Sequence, residues 1–237
     1  MRLVSAFARH WLFVLNLVVF LYLFGAFLAP LMLAARQEWI GGVLYTAYGF
    51  TCHQLPERSF FLGAPDGPMR TYNRDVLIHS GADADTLWNY RAYRGNAALG
   101  YKVAISDRMV AMYGGALLAG LLYALLHRLG VQTPLPAWTL LVFVLPMAVD
   151  GTTHLIDDLT GIGWRATNAW ALPLFGPGMG PNFYTGTNWG SLNSILRLVT
   201  GVLFGAGVIL VAYPLIRVGF EDLAGRTEDR SVGDDRR

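Results

Sequence analysis

Long uncharged apolar runs alternate along this chain with clustered polar segments, and within each run the apolar residues are continuous. Continuity predicts helices. The strands of a membrane barrel would instead alternate lipid-facing and lumen-facing residues. Residues 11–35, WLFVLNLVVFLYLFGAFLAPLMLAA, carry no charge and exceed the ~20 helical residues that cross a hydrocarbon core of about 30 Å. They predict a retained spanning helix, because a cleaved leader has an apolar stretch of only about 7–15 residues before a small-residue cleavage site. The uncharged runs 109–126, 131–149 and 198–216 predict three more spans. The shorter run WIGGVLYTAYGF, 39–50, predicts a fifth helix that is short, interfacial or re-entrant. The fold class is therefore all-α, a polytopic transmembrane helix bundle forming a single domain over 1–216. Gly114, Gly115 and Gly120 in the second span, and Gly201, Gly205 and Gly207 in the fourth, predict close helix approach, with Gly201 and Gly205 at small-xxx-small spacing.

Four spans put the two long polar segments, 36–107 and 150–197, on one membrane face. The turn signal GAPDGP at 63–68 and the Gly, Pro and Asn content of 172–193 predict structured loops with short helices. The extramembrane loop 51–107 is the longer of the two. The polar residues of 217–237 predict a disordered tail.

Composition agrees with the pattern. The chain is 54% hydrophobic and 14% charged with mean hydropathy +0.40, the balance of an integral membrane protein. A net charge of +2 without a basic run gives no footing for nucleic acid. One cysteine excludes an intramolecular disulfide. Arg2, Arg9, Arg128, Arg217, Arg226, Arg230, Arg236 and Arg237 lie on the short segments, which by the positive-inside rule predicts a multi-pass cell-membrane protein with both termini in the cytoplasm.

The candidate chemistry collects where spans meet the long-loop face. Cys52, His53, Gln54, Glu57 and Arg58 follow the short apolar run, Asp107 and Arg108 open the second span, Asp150 and His154 close the third, and Arg197 opens the fourth. Ionisable groups at such depth pair with one another or line a functional cavity, so these residues predict one polar vestibule. Asp150 ends a span, where the helix dipole disfavours a negative charge, and it needs a partner such as Arg108 or Arg197. Arg58, Arg108 and Arg197 form a set suited to phosphate or carboxylate. The natural ligand at that depth is an anionic lipid or a lipid-linked phosphate in the bilayer.

Other readings stay open. Ser106 or Asp107 could simply cap the second span, and the charges could form a plain ion-pair network. Cys52, His53, Asp150 and His154 offer sulfur, imidazole and carboxylate to a transition metal such as zinc, although no CxxC, HxxxH or HExxH is present and Gly151 is expected to interrupt the helix between Asp150 and His154. A thiol-dependent membrane enzyme would use Cys52 activated by its neighbours. A structural or assembly subunit would dock on another membrane protein through the loop 63–102. Span interiors are almost wholly apolar, with Asn16 the main exception, which argues against a continuous polar path for a solute.

Taken together, CHQLPERSFF, DRMVAMYGG, PMAVDGTTH and RLVTGVLFG resemble, in that order, the DUF2085 family of bacterial and archaeal membrane proteins, over roughly residues 50–214. The resemblance implies a small polytopic membrane protein and carries no biochemical role with it. Two departures stand out: Ser106 where the family often has a second cysteine, and His154 where glutamine is common. The first leaves no cysteine pair for redox chemistry.

Overall fold

The computed structural model describes residues 2–131 and 135–234, with side chains described for 7–131, 135–220 and 222. Its helices are α1 (Arg2–Ala34) and α2 (Glu38–Gly49) at the start of the chain. Between the first two spans lie β1 (Phe61–Ala64), β2 (Gly67–Arg70), α3 (Arg74–His79), α4 (Leu87–Ala92), β3 (Gly95–Asn96) and β4 (Gly100–Lys102). Then come α5 (Asp107–Arg128), α6 (Thr139–Thr160), the short α7 (Trp164–Thr167), α8 (Leu172–Phe175) and α9 (Pro181–Thr185), and finally α10 (Leu192–Asp234). Four stretches, Phe7–Ala34, Asp107–Arg128, Thr139–Thr160 and Leu192–Phe220, are long and apolar enough to cross a membrane. They expose large apolar side chains outward, among them Leu118, Leu121, Leu141, Leu145 and Val199, as lipid-facing helices do. Beyond Phe220 the helical backbone of α10 continues to Asp234, through a segment for which the sequence predicts disorder.

The third span sits further along the chain than its apolar run, 131–149, predicts. Residues 132–134 of that run lie outside the described residues; Pro136 precedes α6, and Thr139 N–H and hydroxyl both bond to the Pro136 carbonyl, at 2.9 and 2.7 Å. A proline ring has no N–H to give a helix interior, and the helix starts after Pro136. At the other end Gly151 does not interrupt it. The helix stops at Gly161, in the left-handed region (φ 66°), with Gly161 N–H on Asp157 O at 2.8 Å, the usual glycine stop. Asp150, His154 and Asp157 are thus three buried positions on one face of α6.

At 12 residues α2 is too short to span, and it folds back along α1. The Tyr48 hydroxyl donates to Tyr22 O at 2.5 Å, and a side chain at Gly41 would meet Leu33. Pro30 inside α1 leaves the Ala26 carbonyl without its helical donor. Ala104 N–H supplies one at 3.1 Å, so the proline becomes the point where the extramembrane layer is pinned to the first span. The parallel pair α5 and α10 meets through glycine: a Cβ on Gly205 would overlap the Met112 carbonyl, and one on Gly115 would overlap Val202 backbone. Asn16 of α1 joins the pair by donating to Leu12 O at 2.9 Å and Gly120 O at 3.4 Å.

The long first loop holds a four-stranded antiparallel sheet of order β2-β1-β4-β3, with Phe61 opposite Arg70 and Lys102, and Leu62 opposite Met69 and Tyr101. GAPDGP turns the β1–β2 hairpin. The strands are two to four residues long, too short to show the alternation by which sequence betrays a strand. A separate core of Phe61, Leu77, Ala82 and Tyr90 lies under the sheet.

Candidate functional site

Ser106 is the N-cap of α5, its side chain accepting Met109 N–H at 3.5 Å. That cap sets Asp107 and Arg108 on the first turn. Asp107 turns inward to Arg197, the guanidinium Nε lying 3.1 and 2.9 Å from its two oxygens, and both residues are 2% exposed or less. Arg197 Nη2 also donates to Thr187 O at 3.0 Å, tying α10 to the second loop. Arg108 reaches across to Asp150 of α6 at 2.5 Å.

Asp150 has a second cation. Arg165 of α7 donates to its other oxygen at 2.6 Å, and the same guanidinium lies 3.3 Å (Nε) and 3.0 Å (Nη2) from His154 Nε2. A ring nitrogen facing two N–H donors must act as acceptor, so the imidazole is neutral with its proton on Nδ1. Burial lowers the Arg165 pKa, and Asp150 opposes that effect. Arg165 is held in place by Asp157, whose carboxylate accepts the N–H groups of Trp164, Arg165 and Ala166 at 2.6, 3.0 and 3.0 Å. At the rim, Arg58 pairs with Asp158 of α6 at 2.8 Å. Asp158 raises the Arg58 pKa against the opposing effect of burial.

Four guanidinium groups thus surround three paired carboxylates, Asp107, Asp150 and Asp158, while Asp157 is taken up by backbone. Not all guanidinium hydrogens are used. Arg58 Nε, Arg108 Nε and Arg197 Nη1 are buried without a hydrogen-bond partner. His53 stands beside them, exposed at the rim, with Nδ1 accepting Leu55 N–H at 3.1 Å. The protein packed on one flank of its ring, and after that the charges of Arg58, Arg108 and Arg197, hold its pKa down to about 4, so it too is neutral near pH 7.

The remaining sequence candidates point elsewhere. Cys52 is buried, its Sγ accepting Gln54 N–H at 3.4 Å and Ser106 N–H at 3.3 Å. Its observed contacts brace the start of α5. Gln54 adopts a left-handed backbone (φ 54°), held by its amide donating to Tyr45 O and Ala104 O, both at 2.9 Å. Glu57 is buried toward the sheet, where after burial its charge and hydrogen bonding help raise the Tyr90 hydroxyl pKa. The four-residue metal set Cys52, His53, Asp150 and His154 is not assembled, and among the described residues no group of three or more His, Cys, Asp or Glu could hold a metal ion. The reason is geometric. The Cys52 sulfur faces inward, His53 faces out, and His154 Nε2 is occupied by Arg165.

Sequence reasoning missed Arg165, Asp157 and Asp158. One signal was available: Arg165 is the only Lys or Arg between Arg128 and Arg197. It also missed the straps that fix the CHQ loop, Lys102 Nζ to Gln54 O and Arg91 O at 2.7 and 2.8 Å, and Arg91 to Gly49 O at 3.0 Å.

Comparison with known proteins agrees with the membrane architecture. An uncharacterized protein of the archaeon Methanocaldococcus jannaschii is 28% identical over 153 residues, covering 62% of this chain and 74% of its own length. No solved structure matches. The family model described as predicted membrane protein (DUF2085) matches residues 91–211, which takes in α5, α6, the first part of α10 and every arginine of the buried network except Arg58; on that match the chain belongs to the DUF2085 family of membrane proteins.

Proposed function

We propose that this membrane protein binds a small anionic ligand, of the phosphate or carboxylate class carried by lipids and lipid-linked intermediates, in the arginine vestibule formed by Arg58, Arg108, Arg197 and His53. The observation that supports it is the set of three buried, unpartnered guanidinium N–H groups on Arg58, Arg108 and Arg197. A buried donor left unpaired costs roughly 1–3 kcal/mol, and an anion bridging the three would remove that cost. His53, neutral at the rim, adds a donor without adding a competing negative charge. The vestibule then opens away from the cytoplasm, since the arginines of the short segments hold both termini inside.

Two alternatives have less behind them. A thiol-dependent enzyme needs an accessible sulfur, and Cys52 is buried. A docking subunit using 63–102 would have to employ a segment already tied to the second loop, since Asn73 Oδ1 accepts Thr187 N–H at 2.9 Å. Titration calorimetry in dodecyl maltoside, with dihexanoyl phosphatidic acid in one arm and inorganic phosphate in the other, tests the proposal. Binding in either arm should weaken at least tenfold in Arg58→Gln and in Arg108→Gln. It should strengthen in Asp158→Asn, which releases Arg58 from its carboxylate. Wild-type affinity in both arginine variants, or no binding in either arm, would refute it.

A further inference from the structure

On the opposite membrane face, a groove of about 440 Å³ opens between the start of α1 and the end of α5. Its mouth carries Arg9 and His10 from one helix and His127 and Arg128 from the other, and among the described residues its lining includes no acidic side chain. Below the mouth the walls are apolar. Phe13 is 67% exposed and Leu121 and Leu125 are each 53% exposed, so the apolar walls are open to the bilayer along their length. The floor is Asn16, whose polar atoms are already used: Nδ2 donates to Leu12 O and Gly120 O, and Oδ1 lies 3.5 Å from the Tyr213 hydroxyl. The groove therefore offers polar contacts only at its mouth and van der Waals contacts beneath.

We infer that this groove is a site for one phospholipid with an anionic headgroup, the phosphate lying among Arg9, His10, His127 and Arg128 and an acyl chain running along Phe13, Leu121 and Leu125 toward Asn16. The division into a cationic mouth and an apolar shaft is the division of the ligand itself. Interface anchors of separate helices would be spread around the bundle perimeter, whereas here the basic residues of two adjacent helices converge on one cavity. Basic pockets between spanning helices are a recurrent site for anionic headgroups, with each basic residue near the surface worth roughly fivefold in affinity. The site lies a membrane's thickness from the arginine vestibule and is independent of it.

Native mass spectrometry of the full chain, released from nanodiscs of equal phosphatidylglycerol and phosphatidylcholine, tests the inference. The wild type should retain one phosphatidylglycerol with at least tenfold preference over phosphatidylcholine. Arg9→Gln/Arg128→Gln should bring that preference close to one, while Arg70→Gln, in the exposed Arg70–Asp66 pair on the other face, should leave it unchanged. If the double variant is not monodisperse, Leu125→Trp decides alone, since it fills the groove without altering charge and should also abolish the retained lipid. Equal retention of the two lipids by the wild type would overturn the assignment. So would an unchanged preference in the decisive variant, or loss of the preference in Arg70→Gln.

Discussion

Removing the Asp150 carboxylate should be the most damaging single change in the polar network. Its two oxygens accept charge-assisted hydrogen bonds from Arg108 at 2.5 Å and Arg165 at 2.6 Å, and the residue is 5% exposed. Each such bond is worth about 1.5–3 kcal/mol, and breaking a buried pair by deleting one partner costs about 3–5 kcal/mol, because an uncompensated charge remains. Asp150→Leu leaves two cations uncompensated, so about 3–5 kcal/mol is expected. For a chain of this length each kcal/mol is worth ~2–4 °C of melting temperature, giving a drop on the order of 10 °C in dodecyl maltoside. Asp158→Asn is the internal control. It also removes a carboxylate from an arginine, but Asp158 is 47% exposed, and exposed pairs contribute about 0–1 kcal/mol.

The double variant Asp150→Leu/Arg165→Met sharpens the argument. Once Asp150 is gone, the Arg165 guanidinium is a buried cation whose one side-chain hydrogen-bond partner among the described residues is the neutral His154, and deleting it relieves a penalty that the first change created. The double variant should therefore melt well above the sum of its single effects. The reasoning fails if Asp150→Leu melts within a degree or two of Asp158→Asn. It also fails if the two single changes simply add, since the triad would then not act as a unit.

Other consequences are open to measurement. Lys102 is fully buried, and desolvation holds its pKa down to about 7, with its amine donating to two carbonyls, the number a neutral amine can serve. Between about pH 7 and its ordinary value near 10.5 the unfolded chain binds the proton and the folded chain does not, so stability rises with pH across that window. Lys102→Met should flatten that rise in melting curves taken at pH 7, 8.5 and 10, and an unchanged slope would count against a buried neutral lysine. Gly205→Leu should cost about 1–3 kcal/mol by overpacking against the Met112 carbonyl, whereas Gly114→Leu, with open space at its Cβ, should melt as the wild type does. Ser106→Cys should form a disulfide with Cys52, whose Sγ lies 3.3 Å from the residue 106 nitrogen, read as loss of both free thiols after oxidation.

How much of this was legible depended on the length scale of each feature. The four spans could be read because hydrocarbon thickness imposes a minimum apolar length. The pairing of Asp107 with Arg197, and of Arg108 with Asp150, was within reach because their span ends share one depth. The register of α6 was misjudged by treating apolarity as helicity, when the helix starts only at Thr139, after Pro136. The adjacent Cys52 and His53 suggested a catalytic or metal-binding pair. Neighbours along an irregular segment are free to point apart, and here one faces the core and the other the surface.

Arg165 was hidden for a more instructive reason. It lies 15 residues beyond Asp150, which on a straight helix would put the two more than 20 Å apart at 1.5 Å per residue, yet their side chains meet at 2.6 Å. The chain must reverse in between, and the reversal needs two glycines in the left-handed region, Gly161 (φ 66°) and Gly163 (φ 83°). Asp157, seven residues before the start of α7, then turns back to accept its first N–H groups and locks the reversal. Each part is visible as letters in DDLTGIGWR, but none implies the others. A glycine pair also fits a flexible loop, an aspartate also fits a surface charge, and only the Asp150 oxygen that Arg108 leaves open gives the folded-back arginine a reason to be there.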